Sequence, residues 1–442
     1  MSDLWIRNAR VLLPTGEWQL ADVEVRAGKI VAIADQLPAA SDDTPEVQAE
    51  GLALLPGVID PQVHFRDPGL THKEDLHTAS RACARGGVTS FMEMPNTKPL
   101  TTTQAILTEK LAIAAEKSLV NYAFFIGATP ENHPDLHTAT PTCGIKIFMG
   151  ASHSPLMVPT EPELEPIFAA GRRLIAVHAE DQPRILARRE FMLAGPHVPD
   201  LHSAIQDNEA ALLATRLALK LSKKYQRRLH ILHLSTGDEA LLLRQDKPAW
   251  VTTEVTPQHL LLNRDAYYEI GSLAQMNPPL RTRWDNEVLW QALLDGVIDC
   301  IATDHAPHTL EEKAQPYPNC PSGMPGVETS LPLMLTEAQK GRCTVAQVAQ
   351  WMSTNVAKIF GIANKGKIEP GYDADLVLVD LDRYQLVRRE DLQTKCGWSP
   401  FEGWNLTGWP QVTIVGGQIV YDRGQFNESV RGQALQFDES GW

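Results

Sequence analysis

The chain has 442 residues, enough for one large barrel-sized domain and a smaller one. Its 43% apolar and 21% charged content is that of a folded globular protein and argues against disorder. The net charge of −14, from 40 basic and 54 acidic residues, disfavours a nucleic-acid or anionic-membrane surface and leaves room for a local basic pocket.

The opening MSDLWIRNARVLLPTG contains no long uncharged apolar run, so neither a signal peptide nor a membrane span is expected. Residues 1–56 read as short strands, LWIRNARVLL, ADVEVRAG and KIVAIAD, with Gly16 and the Ala27–Gly28 pair at the turns. The six cysteines (83, 143, 300, 320, 343 and 396) show no CxxC pairing and read as reduced, mostly core residues of a cytoplasmic protein.

From residue 57 the pattern becomes strand–helix alternation. Eight apolar runs of strand length follow: LALLPGVID leading into QVHF, then TSFMEMP, YAFFIG, GIKIFMG, RLIAVHAE, LHILHLS, WVTTEVTP and IDCIATDHAP. Apolar runs with little alternation are the mark of parallel strands buried on both faces. A helix is predicted from Asp207 to Tyr225, capped by Asp207, with Ala210, Leu213, Leu217 and Leu221 at helical spacing. Another begins at STGDEALLL, where Thr236 and Glu239 fit a capping box. The fold class is α/β, a (β/α)8 barrel over residues 57–362. The strand-rich ends, 1–56 and 363–442, are expected to pair into one small β-sandwich.

Polar residues gather at the carboxyl ends of these strands, where barrel active sites are built. His64 ends the first strand, Lys146 lies in the fourth, His178 and His233 end the fifth and sixth, and Asp304 ends the eighth. Three imidazoles and a carboxylate at one barrel mouth are a ligand set for zinc or a similar divalent ion. A lysine inside CGIKIFMGAS would point into the barrel, where burial and a neighbouring cation both penalise an ammonium. Capture of CO2 as a bridging carbamate resolves this; a lysine snorkelling to solvent or pairing with a carboxylate is the other reading. Arg66, two residues after His64, suits bidentate capture of a carboxylate. The long Pro- and Gly-rich segment HTLEEKAQPYPNCPSGMPGVETS is expected to line or cover the site, with no role assigned to Tyr317 or Cys320.

DPQVHFRDPG, MPNT, GIKIFMG, HAED, HILHLS, ATDHAPH and KCGWSPFEG together resemble the dihydroorotase family of the cyclic amidohydrolase superfamily, and EPGYDADLVLVD resembles that superfamily's returning C-terminal sheet. The resemblance implies one or two zinc ions per chain. His64 and Asp304 would serve the more buried one, His178 and His233 the other, and Lys146, carboxylated, would bridge them. It implies that Arg66, Asn96 and His308 bind the carboxylate of dihydroorotate, that Asn277 touches the ring edge, and that Asp304 is the catalytic proton shuttle. The product would be N-carbamoyl-L-aspartate, on the pyrimidine-biosynthetic path. A homodimer is implied, as is association with aspartate transcarbamoylase.

One position departs from the family. Gln62 stands where the first histidine of an HxH pair is usual. It would be a weakened neutral ligand or an outer hydrogen-bonding group. Two alternatives to a dihydroorotase remain: another cyclic-amide hydrolase such as a hydantoinase or allantoinase, and a catalytically silent partner of the transcarbamoylase.

Overall fold

The computed structural model describes residues 3–38, 44–151, 155–195 and 198–438. All eight expected barrel strands are present. They are Val58–Val63, Val88–Glu93, Asn121–Phe124 continuing as Ile126–Gly127, Ile145–Phe148, Ile175–His178, Leu229–Ile231, Val251–Val255 and Cys300–Ile301. Every pairing between neighbours is parallel. The ladder bends at Phe125, whose N–H donates to the Glu93 carbonyl at 3.0 Å. It closes where Val63 bridges His305 and the His64 N–H donates to the His305 carbonyl at 2.7 Å. Closure leaves no open edge, which a parallel sheet of this length needs.

Register decides which side chains enter the barrel. Lys146 pairs with Ala176, Ala176 with His230 and His230 with Thr252. Paired residues share a face, so Lys146 and His230 both point inward. On the amino-terminal side Phe360, from the helix Asn355–Phe360, packs edge-on against Phe125 and His230 and fills the barrel.

The capping expectations hold. Asp207 accepts from the Ala210 N–H at the start of Asn208–Tyr225, and Thr236 and Glu239 form a reciprocal capping box. The buried face of Asn208–Tyr225 differs from the expected one. Ala210, Ala214, Ala218 and Leu221 are buried, whereas Leu213 is 36% exposed and Leu217 only partly covered. Small alanines let the helix axis approach its neighbours closely, and Leu212, Leu219 and Leu221 are buried beside them, so the inner face is rotated from the expected one.

The ends of the chain meet as expected. Leu376–Leu386 runs antiparallel to Ala53–Pro56, which lies parallel to Leu4–Leu12. Nine strands form this second, mostly antiparallel sheet. It wraps a core of Ile6, Val23, Leu54, Leu378 and Ile414, the small β-sandwich beside the barrel. All six cysteines are buried and free. Among the described residues no helix is long and apolar enough to cross a membrane.

Candidate active site

A cavity of about 490 Å³ opens at the carboxyl ends of the barrel strands. His64, Lys146, His178, His233 and Asp304 form part of its wall, as do Arg66, Asn96, Asn277 and His308. The structure therefore brings every site residue expected from the sequence into one void. Arg66, His233 and Asp304 sit in the left-handed region, at φ +67°, +34° and +48°. Such backbone costs on the order of 1–3 kcal/mol per residue and persists only where surroundings impose it. Glu254 imposes it at His233, accepting that residue's N–H at 3.3 Å. Near Asp304 the clamp is Asp60, which accepts from Thr303 N (3.1 Å), Thr303 Oγ1 (2.5 Å) and Gln62 N (3.2 Å). Burial pushes the Asp60 carboxyl up to about 7.

His64 Nδ1 lies 2.7 Å from Asn96 Oδ1, and Nε2 lies 3.1 Å from Asp304 Oδ1. Burial pulls the His64 imidazole below its usual range, towards the neutral form. With the Nδ1 hydrogen given to Asn96, Nε2 turns a lone pair towards an anionic oxygen. A cation between them relieves that opposition. Across the cavity His178 Nδ1 and His233 Nε2 face each other at 2.9 Å, while His178 Nε2 binds Glu180 Oε2 at 2.8 Å. Burial, His178 and Lys146 hold His233 neutral.

Three buried polar atoms on this wall have no partner: Lys146 Nζ, His233 Nδ1 and Gln62 Oε1. Unpaired buried polar groups cost about 1–3 kcal/mol each, so the unpaired Lys146 amine on this wall marks a place for a missing partner. Burial lowers the Lys146 amine to about 7, so an unprotonated, nucleophilic form is accessible at neutral pH. The donor set, imidazoles and carboxylate with an amine able to become an anion, fits a divalent metal. A second trio, His230, Glu254 and Cys300, lies deeper in the barrel. Both its imidazole nitrogens are already satisfied, by Thr252 Oγ1 at 2.8 Å and Glu254 Oε2 at 3.0 Å, so it is a closed network that braces the site above.

The other side of the cavity is cationic. Arg66 Nη2 lies 3.2 Å from His308 Nε2, and Arg66 Nε donates to the Pro307 carbonyl at 3.2 Å. Burial lowers the Arg66 guanidinium to about 10, still charged at neutral pH. The Trp398 indole N–H donates to the His308 carbonyl at 2.8 Å, which ties the KCGWSPFEG segment to the pocket. Asn277 donates to the Ala151 carbonyl at 3.1 Å, and its Oδ1 lies 2.8 Å from His202 Nε2.

The segment after the eighth strand lines the cavity as expected, through residues that include Tyr317 and Cys320, and Gln182, Arg189, His202 and Gln206 join the wall unforeseen. Glu180, whose Oε2 meets His178 Nε2, lies two residues after it in HAED, beyond the end of the strand Ile175–His178. The unforeseen residues come from loops and helices whose only signal is three-dimensional.

The amidohydrolase family model matches residues 53–420. A dihydroorotase of Methanosarcina mazei is 36% identical over 452 residues, covering 99% of this chain and 98% of the relative. An allantoinase of Streptomyces avermitilis is 36% identical over 448 residues, covering 97% and 98%. Among solved structures, an L-hydantoinase from Arthrobacter aurescens superposes with a TM-score of 0.94 at 32% identity, covering 99% of this chain and 100% of that one.

Proposed function

The chain belongs to the amidohydrolase family and is a hydrolase of cyclic amides, and from that premise we propose that it is a zinc-dependent dihydroorotase. It opens the ring of (S)-dihydroorotate to N-carbamoyl-L-aspartate and closes it again in the biosynthetic direction of pyrimidine synthesis. The observation that carries this reading is the buried Arg66–His308 pair, 3.2 Å apart, on the wall that also holds the candidate metal ligands. A fixed guanidinium beside an imidazole suits a planar carboxylate. Dihydroorotate has a ring carboxylate; hydantoin and allantoin have none.

His64 and Asp304 would hold one zinc ion, His178 and His233 a second, and Lys146, as its carbamate, would touch both. Bound zinc supplies Lewis acidity and a water acidic enough to ionise at neutral pH. The chain's own groups do the rest. Arg66 and His308 grip the substrate carboxylate, with the free Asn96 amide N–H beside them, and Asn277 meets the ring edge. Gln62 holds Asp304 Oδ1 at 3.1 Å, which leaves Oδ2 to accept the attacking water's proton. As oxygen adds to the ring carbonyl, Asp304 passes that proton to the ring nitrogen and the C–N bond breaks. In the reverse direction the nitrogen adds to the carboxyl carbon and gives up its proton to Asp304, which passes it to the departing oxygen, so that the C–O bond breaks, water leaves and the ring closes. The enzyme acts in the cytoplasm as a homodimer, alone or beside an aspartate transcarbamoylase.

The allantoinase and hydantoinase likenesses make another ring substrate the second reading. Turnover of dihydroorotate, hydantoin and allantoin by the metal-loaded chain separates the two. The proposal expects kcat/KM for dihydroorotate to exceed the others by about 100-fold or more. Preference for either uncharged ring would move the chain to that activity.

A further inference from the structure

We propose that Gln62 divides the metal centre, in which both ions would share Lys146, into two unequal halves: a tight one at His178 and His233, and a loose one at His64 and Asp304. It does so because it serves Asp304 as a hydrogen-bond donor, not an ion as a ligand. The inference rests on the function proposed above only in taking the centre to hold zinc.

Gln62 lies on the first barrel strand, two residues before His64, and is 1% exposed. Its amide could face an ion with oxygen or a carboxylate with nitrogen, but not both with the same end. The structure has the nitrogen end on Asp304. Nε2 donates to Oδ1 at 3.1 Å, and that oxygen is the one 3.1 Å from His64 Nε2. Turning the amide over would set Oε1 against Oδ1, two acceptors together, and would lose a charge-assisted hydrogen bond. The backbone cannot slide to compensate, because the Gln62 N–H is held by Asp60 Oδ1 at 3.2 Å inside the barrel wall.

The two halves then differ in donors. One offers two imidazoles whose facing nitrogens are 2.9 Å apart. The other offers one imidazole and a carboxylate whose nearer oxygen already accepts from Gln62. The remaining atom there, Gln62 Oε1, is a neutral amide oxygen, buried without a partner and a poor match for zinc beside an imidazole. Losing only an outer hydrogen-bonding partner weakens metal binding about 10- to 100-fold, and losing an imidazole ligand should cost at least as much.

The test counts ions and does not use turnover. The full chain, stripped of metal and supplied with bicarbonate, is dialysed against buffered free zinc, and zinc per chain is read by elemental analysis. The expected curve has a plateau at one ion, with the second entering at free zinc about 10-fold or more higher. In Gln62→His the two steps merge. In His64→Ala the tight ion stays, and in His233→Ala it is lost. Both ions entering wild type in a single step would overturn the inference, as would no bound zinc or a tight ion lost in His64→Ala. Wild type alone decides the first point if a variant does not fold. Unequal ions in a chain that ignores dihydroorotate would leave the inference standing and remove the proposed function; one-step binding in an active dihydroorotase would do the reverse.

Discussion

Asn96 Oδ1 lies 2.7 Å from His64 Nδ1, and this contact chooses the tautomer of the imidazole that faces Asp304. In Asn96→Ala the hydrogen is free to move to Nε2, where it would block coordination. The weaker of the zinc affinities should fall about 10- to 100-fold. Chelator competition measures it, and unchanged affinity would show that His64 needs no such partner.

Arg66 and His308 make a test of substrate charge. Arg66→Met removes a fixed cation while keeping an apolar stem of similar reach. A hydrogen bond to a charged group contributes about 1.5–3 kcal/mol, so kcat/KM for dihydroorotate should fall roughly 10- to 100-fold. Slow turnover of hydantoin, which has no carboxylate to lose, should change little. Equal losses on both substrates would place Arg66 in the scaffold and not in carboxylate recognition.

Lys146 is buried, with no hydrogen-bond partner, and its amine is lowered to about 7. Labelled bicarbonate added with zinc should produce a carbamate carbon signal in wild type. The signal should be absent in Lys146→Met, which should also retain less zinc and lose turnover by about 1,000-fold. Wild-type zinc content in that variant would rule out the bridging role.

Acid should loosen the turn that carries Asn277. His202 Nε2 binds the Met276 carbonyl at 3.0 Å, and His259 Nε2 binds the Pro278 carbonyl at 3.0 Å. Burial lowers both imidazoles from 6.5 to about 4. The unfolded chain takes up these protons first, so stability is full above about pH 6.5, falls towards pH 4 and levels below it. Each histidine contributes on the order of 3 kcal/mol to that fall. Urea melts across this range should show it, and His202→Gln, which keeps an N–H donor, should reduce it. A flat profile would mean that neither histidine stays neutral in the fold.

The barrel was legible because strands buried on both faces read as unbroken apolar runs, and the site because several polar residues gather at the carboxyl ends of those runs. Lys146 and His178 stood out for that reason. The inner face of Asn208–Tyr225 is rotated from the expected one because more than one set of its leucines fits helical spacing, and packing covers Leu212, Leu219 and Leu221. Glu254 and His202 were invisible because they act on His233 and Asn277, far away in sequence. The loop carrying Tyr317 and Cys320 reads as a lining of the site from its length and its Pro and Gly content, and it lies there. Gln62 was conspicuous as a departure from the family, but its amide orientation depends on Asp304, 242 residues away.

Zinc-dependent turnover of dihydroorotate is the activity proposed for this chain. The direct measurement is dihydroorotate turnover by the purified chain alone, before chelation, after it, and after zinc and bicarbonate are returned. Turnover should disappear with chelation and come back with zinc. A folded, zinc-loaded chain that leaves dihydroorotate unchanged in both directions would contradict it.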